Sequence, residues 1–178
     1  MKGWSVPQNQ RIMDKKGRII TGETAYARMA RICSQKEYAP SDIVRKLQKL
    51  ELPGPMIDKI VRRLKEENFL DEKRFIRSYI HDKLHFNKWG KRKITLSLEY
   101  KQLPQELIEE GFAELSDISF SRSLQPILEK KWKSVTGKSD YEKRGKLIRF
   151  ALSRGFSMEE VMACMKRMEI EGTFNETE

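Results

Sequence analysis

The chain has 178 residues, of which 35% are charged, and a formal net charge of +10. That length suits one domain or a few small modules. No run of about 18 apolar residues is present to span a bilayer, and the first residues lack the apolar stretch of a secretory signal. We therefore expect a cytoplasmic protein. Its positive charge favours a polyanionic partner, either nucleic acid or an acidic protein surface, although a face of solvated lysines is the alternative.

The first segment, residues 1–22, is basic and has no apolar stripe, so we expect a flexible basic arm. A helical stripe follows over residues 23–36 and includes Cys33. The second cysteine, Cys164, is far away in the sequence and matches no metal-binding spacing. We expect two reduced, buried thiols without a disulfide.

An apolar pattern then recurs three times, centred on Leu52, Leu103 and Phe156. Each copy has six apolar residues at the same spacings, and no gaps are needed. The positions are Ile43, Leu47, Leu52, Ile57, Val61 and Leu64; Ile94, Leu98, Leu103, Ile108, Phe112 and Leu115; and Leu147, Ala151, Phe156, Val161, Met165 and Met168. A step of four keeps two side chains on one helix face. A step of five beside a proline or glycine marks a turn, so each copy ends in two helices joined by a turn.

One further helical stretch precedes each pair, which predicts nine helices in three bundles of three. The predicted fold is all-α: three tandem three-helix repeats that form an elongated, curved modular rod. The predicted divisions are a basic arm at 1–22, repeats at 23–70, 71–116 and 117–170, and a polar tail at 171–178 that frays. The first helices of the repeats are placed at about 23–36, 71–86 and 119–135.

The residues at the predicted helix ends support this division. Pro55 suits the first turn of a helix, and Asp71 is placed as an N-cap. Gly155 suits the left-handed position after a helix end. Ser157 and Glu160 have the spacing of a capping box.

Two basic runs lie where the first and second helices of a repeat meet. In the second repeat five cations are opposed only by Glu99 over residues 88–101, and a denser run occupies 130–149. We expect stacked repeats to present both runs as one basic strip. The candidate contacts are Lys88, Trp89, Lys91, Arg92, Lys93, Lys130, Lys131, Lys133, Lys138, Lys143, Arg144 and Lys146, with Arg28, Arg31, Arg74 and Arg77 as secondary candidates. Trp89 also suits a packing role.

No pattern in the chain predicts catalysis. His81 and His85 have a spacing that can hold zinc, but the glutamate of a zinc protease and a third ligand are missing. No glycine-rich phosphate loop and no nucleophile–base set with a supporting motif is present. We expect a non-enzymatic protein without a cofactor or a metal.

One stretch resembles a known family. The run from Asn68 to Phe75, then Tyr79-Ile80, Lys88-Trp89-Gly90, Ile94 and Leu98, resembles the central signature of the RecX family. The segment Ala39-Pro40-Ser41-Asp42, with Arg45-Lys46-Leu47, resembles that family's first repeat. The resemblance covers about residues 23–170.

The resemblance implies three tandem three-helix repeats and a function as a regulator of the RecA recombinase. A RecX protein is expected to bind the RecA–DNA filament in its groove and to inhibit the ATPase, strand-exchange and coprotease activities. It would thereby regulate homologous recombination, DNA repair and the SOS response. We expect a monomer that binds bare DNA weakly. The alternatives are a stand-alone basic helical DNA-binding module and a helical adaptor for another partner.

Overall fold

The computed structural model describes residues 12–13, 19–114, 117–172 and 174 of the chain. In this part of the chain nine α-helices account for most residues, and one short β ladder precedes them. The elements are β1 Ile12–Met13, β2 Ile19–Ile20, α1 Gly22–Cys33, α2 Pro40–Gln48, α3 Gly54–Glu66, α4 Glu72–His85, α5 Lys91–Tyr100, α6 Gln105–Ala113, α7 Asp117–Ser134, α8 Asp140–Ser153 and α9 Met158–Ile170. The predicted all-α repeat fold is confirmed. None of the helices described is long and apolar enough to cross a membrane.

The chain divides into two compact units, Met1–Phe75 and Ile76–Glu178. In the first unit, α1, α2 and α3 pack around one apolar core. The fully buried members of this core are Ile43, Leu47, Ile60 and Leu64. This unit contains α1 to α3 and also the first residues of α4.

The second unit contains most of α4 and all of α5 to α9. Buried side chains from α4, α5 and α6 include Ile76, Ile80 and Leu98. Helices α7, α8 and α9 pack around a separate apolar cluster, which includes Leu128 and Leu147.

The repeated apolar pattern describes the core well. Of its positions with a described side chain, all are buried except Val61, which is half-buried against the core of the first unit. Leu115 lies outside the described residues. The pattern therefore marks the inward faces of the second and third helices in each repeat.

The backbone follows the same repeat. The residue before each central position is left-handed, with φ of 58° at Glu51, 60° at Gln102 and 88° at Gly155. Each of these residues follows a second helix and reverses the chain into the third. A left-handed conformation costs a non-glycine residue roughly 1–2 kcal/mol, so the core packing that follows each turn must offset this cost at Glu51 and Gln102.

The predicted helix ends are confirmed. The Asp71 carboxylate accepts a hydrogen bond from the Arg74 backbone N–H at 2.9 Å, as an N-cap does. Pro55 lies in the first turn of α3, and Ser157 and Glu160 form a capping box at the start of α9. After Gly155, the Phe156 N–H donates to the Ala151 carbonyl at 3.3 Å, which closes the end of α8.

Both ends of the chain depart from the prediction in the residues described. Ile12–Met13 pairs antiparallel with Ile19–Ile20, and Ile20 packs into the core of the first unit, so these residues do not form a flexible arm. The basic side chains of that arm, Lys2, Arg11, Lys15, Lys16 and Arg18, lie outside the described residues.

The prediction of a fraying tail is wrong for Phe174. Gly172 turns the chain with φ of 76°, and Phe174 is buried with its ring centroid 4.7 Å from that of Trp132. The polar composition of the tail did not indicate that one of its side chains, Phe174, covers the core of the third repeat.

The two cysteines are free and buried, as expected. Burial raises the pKa of Cys33 to about 11 and also raises the pKa of Cys164. Because the thiolate is the reactive form, neither residue is suited to nucleophilic chemistry at neutral pH.

A small polar network lies on the first unit between α1 and α3. The Tyr26 hydroxyl donates to the Glu67 carboxylate, and the Arg63 guanidinium lies 3.7 Å from the centroid of the Tyr26 ring. Arg63 also pairs with Glu23 at 3.0 Å and with Glu67 at 2.7 Å. Burial, and then the bond to Glu67, raises the pKa of Tyr26 to about 12.

We expect Leu98→Ala to destabilise the second unit by about 2–5 kcal/mol, because Leu98 is fully buried and its truncation leaves a cavity. Leu96→Ala in the same helix is the matched control, since Leu96 is 57% exposed; it should change stability by less than about 0.5 kcal/mol. Urea unfolding measures both. Equal effects of the two substitutions would show that the apolar stripe is misassigned.

We also expect Tyr26 to contribute to the alkaline sensitivity of the first unit. The folded state raises this phenol's pKa from 10.0 to about 12, so it holds the proton more tightly than the unfolded chain does. The contribution is therefore complete below about pH 10 and is lost as pH rises from 10 toward 12. Tyr26→Phe should show a shallower fall in melting temperature over that range. Identical pH profiles for the two proteins would contradict this assignment.

Candidate polyanion-binding site

The start of α5 lies directly against the turn that ends α8. The Gly90 N–H donates to the Arg154 carbonyl at 2.8 Å, and the Arg92 N–H donates to the Gly155 carbonyl at 3.1 Å. A Cβ atom at Gly90 would lie 2.4 Å from backbone atoms of Gly155 and Phe156. Such a distance is too short for any side chain, so glycine is required here by the close approach of two backbones.

The same contact constrains Gly155 from the other side. A Cβ at this residue would lie 2.4 Å from the backbone nitrogen of Lys93, and its φ of 88° is itself unfavourable for other residues. The second and third repeats are therefore joined at two glycines. Gly90 is also the N-cap of α5, so the residue starts a helix and meets Gly155 at the same time.

This joint fixes the position of the residues just before it. Lys88 is left-handed, with φ of 54°, and the Trp89 N–H donates to the Lys83 carbonyl at 2.9 Å. Trp89 is half-buried. The ammonium groups of Lys83 and Lys93 lie 5.0 and 4.8 Å from the centroid of a Trp89 ring, which is the geometry of cation–π contacts.

A cleft of about 600 Å³ opens beside this segment. Its walls come from the end of α4, the segment that follows α4, the last turns of α7, and the end of α8. The lining residues are Phe86, Asn87, Lys88, Trp89, Ile127, Lys130, Lys131, Ser134, Phe150 and Arg154. We call this the basic cleft, because every charged residue in its lining is positive.

Arg154 and Lys131 lie over the ring of Phe150 in the basic cleft. The Arg154 guanidinium is 4.8 Å from the centroid of the Phe150 ring, and the Lys131 ammonium is 5.6 Å from it. One Arg154 nitrogen, Nη1, donates to the Asn87 carbonyl at 2.8 Å. Its Nε is buried and has no hydrogen-bond partner among the described residues. The cleft thus combines fixed cations with aromatic rings.

The two exposed cations Lys91 and Arg92 follow the joint. They line a second cavity of about 750 Å³ together with residues of the α8–α9 turn and Glu160. Lys93 is different, because its ammonium donates to the Ser153 carbonyl at 3.2 Å and its backbone packs on Gly155. Lys93 therefore has a structural role at the joint.

The remaining cations of the 130–149 run do not line the basic cleft. Lys143 pairs with Asp140 at 3.7 Å, and Lys146 pairs with Glu142 at 2.8 Å. Lys133 and Lys138 are exposed outside the lining. The single strip expected from the sequence is thus replaced by a compact cleft that takes only Lys130 and Lys131 from this run.

Arg144 has a structural explanation. Its guanidinium pairs with Glu169 at 2.9 Å and lies 4.7 Å from the centroid of the Phe174 ring. Arg144 therefore holds Phe174 and Glu169 beside α8, a function that the sequence did not suggest.

The secondary candidates differ in their pairing. Arg74 pairs with Glu37 at 2.5 Å, and Arg77 pairs with Glu114 at 2.6 Å. Arg28 and Arg31 are exposed on α1. The paired side chains are less available to an external anion, because a neighbouring carboxylate already neutralises them.

Six residues of the basic cleft were not predicted from the sequence: Phe86, Asn87, Ile127, Ser134, Phe150 and Arg154. Phe86 carried a usable signal, since a large aromatic residue stands at the very end of the predicted first helix of the second repeat. Phe150 and Arg154 carried none, because they reach the cleft only through the joint between repeats. The rings of His81 and His85 lie with centroids 4.4 Å apart and are tilted by 45°. No group of three potential metal ligands is found in the part of the chain described.

The chain matches two models of one protein family. These are the second three-helix domain of RecX, over residues 71–111, and the third three-helix domain of RecX, over residues 122–165. The matches fall on α4–α6 and on α7–α9.

Similar proteins carry the same family name. The regulatory protein RecX of Streptococcus agalactiae serotype V is 26% identical over 139 residues, which are 78% of this chain and 53% of that protein. The regulatory protein RecX of Clostridium botulinum is 32% identical over 123 residues, covering 66% of this chain and 57% of the relative. The chain spans somewhat more than half the length of these relatives.

A solved structure has the same fold. The crystal structure of RecX from Lactobacillus salivarius superposes with a TM-score of 0.74 at 18% identity, covering 84% of this chain and 97% of that one. At this identity the likeness establishes the fold alone.

We expect Gly90→Ala to destabilise the second unit by roughly 1–3 kcal/mol, because the added methyl group displaces backbone atoms at the joint. Gly145→Ala is the matched control. Gly145 lies inside α8, and its Cβ would meet only the end of the Arg149 side chain at 3.7 Å. The control should be neutral or stabilising by up to about 1 kcal/mol. Thermal unfolding distinguishes them, and a Gly90→Ala protein as stable as the control would exclude the close contact.

Proposed function

Because the chain belongs to the RecX family of regulatory proteins, we propose that it is a negative regulator of RecA. It binds the RecA–DNA filament and inhibits the ATPase, strand-exchange and coprotease activities of RecA. Through this inhibition it regulates DNA repair and homologous recombination, including the SOS response. The protein acts in the cytoplasm as a monomer.

The basic cleft, together with the exposed cations Lys91 and Arg92 of the second cavity, is the observation that carries the proposal. A nucleoprotein filament presents DNA phosphates beside a protein surface. Phosphate contacts from lysine and arginine supply much of the affinity for DNA and set the position of the bound protein. A cleft whose charged lining is entirely positive is suited to such a surface. The paired cations Lys143 and Lys146 contribute less to it.

In this mode of action the protein inhibits RecA by occupying the filament, and it catalyses no reaction. The buried thiols Cys33 and Cys164 have raised pKa values and are poor nucleophiles. Inhibition should therefore follow the amount of protein bound to the filament. It should also weaken with added salt, since phosphate contacts release counterions.

The direct test measures the DNA-dependent ATPase activity of RecA with this protein present well below the RecA concentration. We expect inhibition under these conditions, because a protein that occupies a filament affects many RecA subunits at once. Absence of inhibition at every ratio would contradict the proposed function.

A variant locates the contact. We expect Lys91→Glu with Arg92→Glu to raise the concentration needed for half-inhibition by at least about tenfold, because both cations are exposed and their reversal repels phosphates. Lys93 is left unchanged because it supports the joint. Lys49→Glu with Arg62→Glu, two exposed cations of the first unit, makes the same change in net charge and is the control. Equal inhibition by the two variants would exclude Lys91 and Arg92 as specific contacts.

A further inference from the structure

We propose that the basic cleft binds single-stranded nucleic acid, with a base stacked on Phe86 and the adjoining phosphates held by Lys88, Lys130 and Lys131. The inference concerns the same cleft as the proposed function and adds the class of its ligand. It does not depend on RecA, and its test is carried out without RecA.

The charges of the cleft suit a phosphate backbone. Lys130 is exposed, and Lys88 and Lys131 are half-buried in the lining. The lining contains no carboxylate that would repel a phosphate. Cations therefore line the cleft from the segment after α4, from α7 and from the end of α8.

The aromatic residues are what separate this cleft from an ordinary patch of lysines. Phe86 is 77% exposed at the end of α4, where a packing function would bury it. Its ring meets His81 in an edge contact, with centroids 6.3 Å apart. Trp89 and Phe150 complete the aromatic lining, each with cations over its ring. Aromatic rings beside a positively charged groove form the usual platform for unpaired bases.

A single strand fits this arrangement better than other polyanions. The bases of a duplex are stacked inside the helix and cannot reach Phe86 without being extruded. A concave site of about 600 Å³ is of the size that encloses a small molecule, and therefore a nucleotide, but not a duplex. An acidic peptide would use the lysines and leave the exposed ring of Phe86 without a function.

Helix electrostatics explain only part of the lining. Lys131 lies in the last turn of α7, where a cation is favoured by the helix dipole. This effect does not account for an exposed phenylalanine at the end of α4. The combination of Phe86 with Lys130 and Lys88 therefore points to a ligand.

The test measures fluorescence anisotropy of a labelled single strand of about 12 nucleotides, a length within the range that small single-strand-binding domains cover. The full chain should bind this strand at least about tenfold more tightly than a duplex of equal length. Phe86→Leu should weaken binding about tenfold, since leucine keeps the apolar character but removes the stacking surface. Phe86→Tyr retains the ring and should bind within about twofold of the parent protein.

Matched controls separate the cleft from the general positive charge. Tyr141 is also an exposed aromatic residue, at 89%, but lies outside the cleft lining, so Tyr141→Leu should leave binding unchanged. Lys130→Gln should reduce the slope of log affinity against log salt by about 0.7, the value for one phosphate contact with a single strand. Lys133→Gln removes a neighbouring exposed cation of α7 and should leave the slope unchanged.

The outcomes are distinct. Equal or tighter binding of the duplex, or equal loss in Phe86→Leu and Tyr141→Leu, would overturn the inference. Displacement of the strand by poly-glutamate at a similar charge concentration would assign the cleft to an acidic protein and would also overturn it. If RecA is inhibited but no preference for the single strand is found, the proposed function stands without this ligand. If the preference for the single strand is found but RecA is unaffected, the inference about the ligand stands and the proposed function fails.

Discussion

The contact between Gly90 and Gly155 is the constraint on which the basic cleft depends. Two backbones meet there without intervening side chains, and two hydrogen bonds cross from the start of α5 to the end of α8. These bonds satisfy N–H groups that lack partners in the first turn of any helix. The joint thereby places Lys88 and Trp89 beside the ends of α7 and α8, which no single repeat could do by itself.

The three repeats share the same turn after their second helix, but different residue types form it. In each repeat a left-handed residue ends the second helix, and the next residue packs into the core. Glutamate and glutamine take this conformation in the first two repeats, whereas glycine takes it in the third. Among these three turns, glycine is needed only at Gly155, because a backbone passes at 2.4 Å from the position its Cβ would occupy. The choice of glycine in the third repeat therefore reflects its contact with the second repeat and not the conformation of the turn itself.

Much of the fold could be predicted from the sequence because it depends on local periodicity. The steps of four and five residues marked the helix pairs, and Asp71, Ser157 and Gly155 marked helix ends through their own side chains or lack of one. Residues such as Ile20 and Phe174 were missed because they pack from outside any periodic stripe. Their burial is decided by tertiary contacts, which a helical pattern does not contain.

The candidate site was predicted in part, for the same reason. Lys88, Lys130 and Lys131 were recognisable as members of basic runs, but the runs gave no information on pairing. The structure neutralises Lys143, Arg144 and Lys146 with carboxylates and adds Phe150 and Arg154 to the cleft. Charge density along a sequence therefore overestimates the number of available cations and gives no information on the aromatic residues that line the cleft beside them.

Native-state hydrogen exchange at the backbone amides of Gly90 and Arg92 measures the joint between the repeats most directly. First-turn amides normally exchange rapidly, because they have no acceptor within their own helix. We expect strong protection of both amides, since they donate to the carbonyls of Arg154 and Gly155 across the joint. Exchange of both amides at the rates of an unstructured chain would show that the second and third repeats are not joined at these glycines.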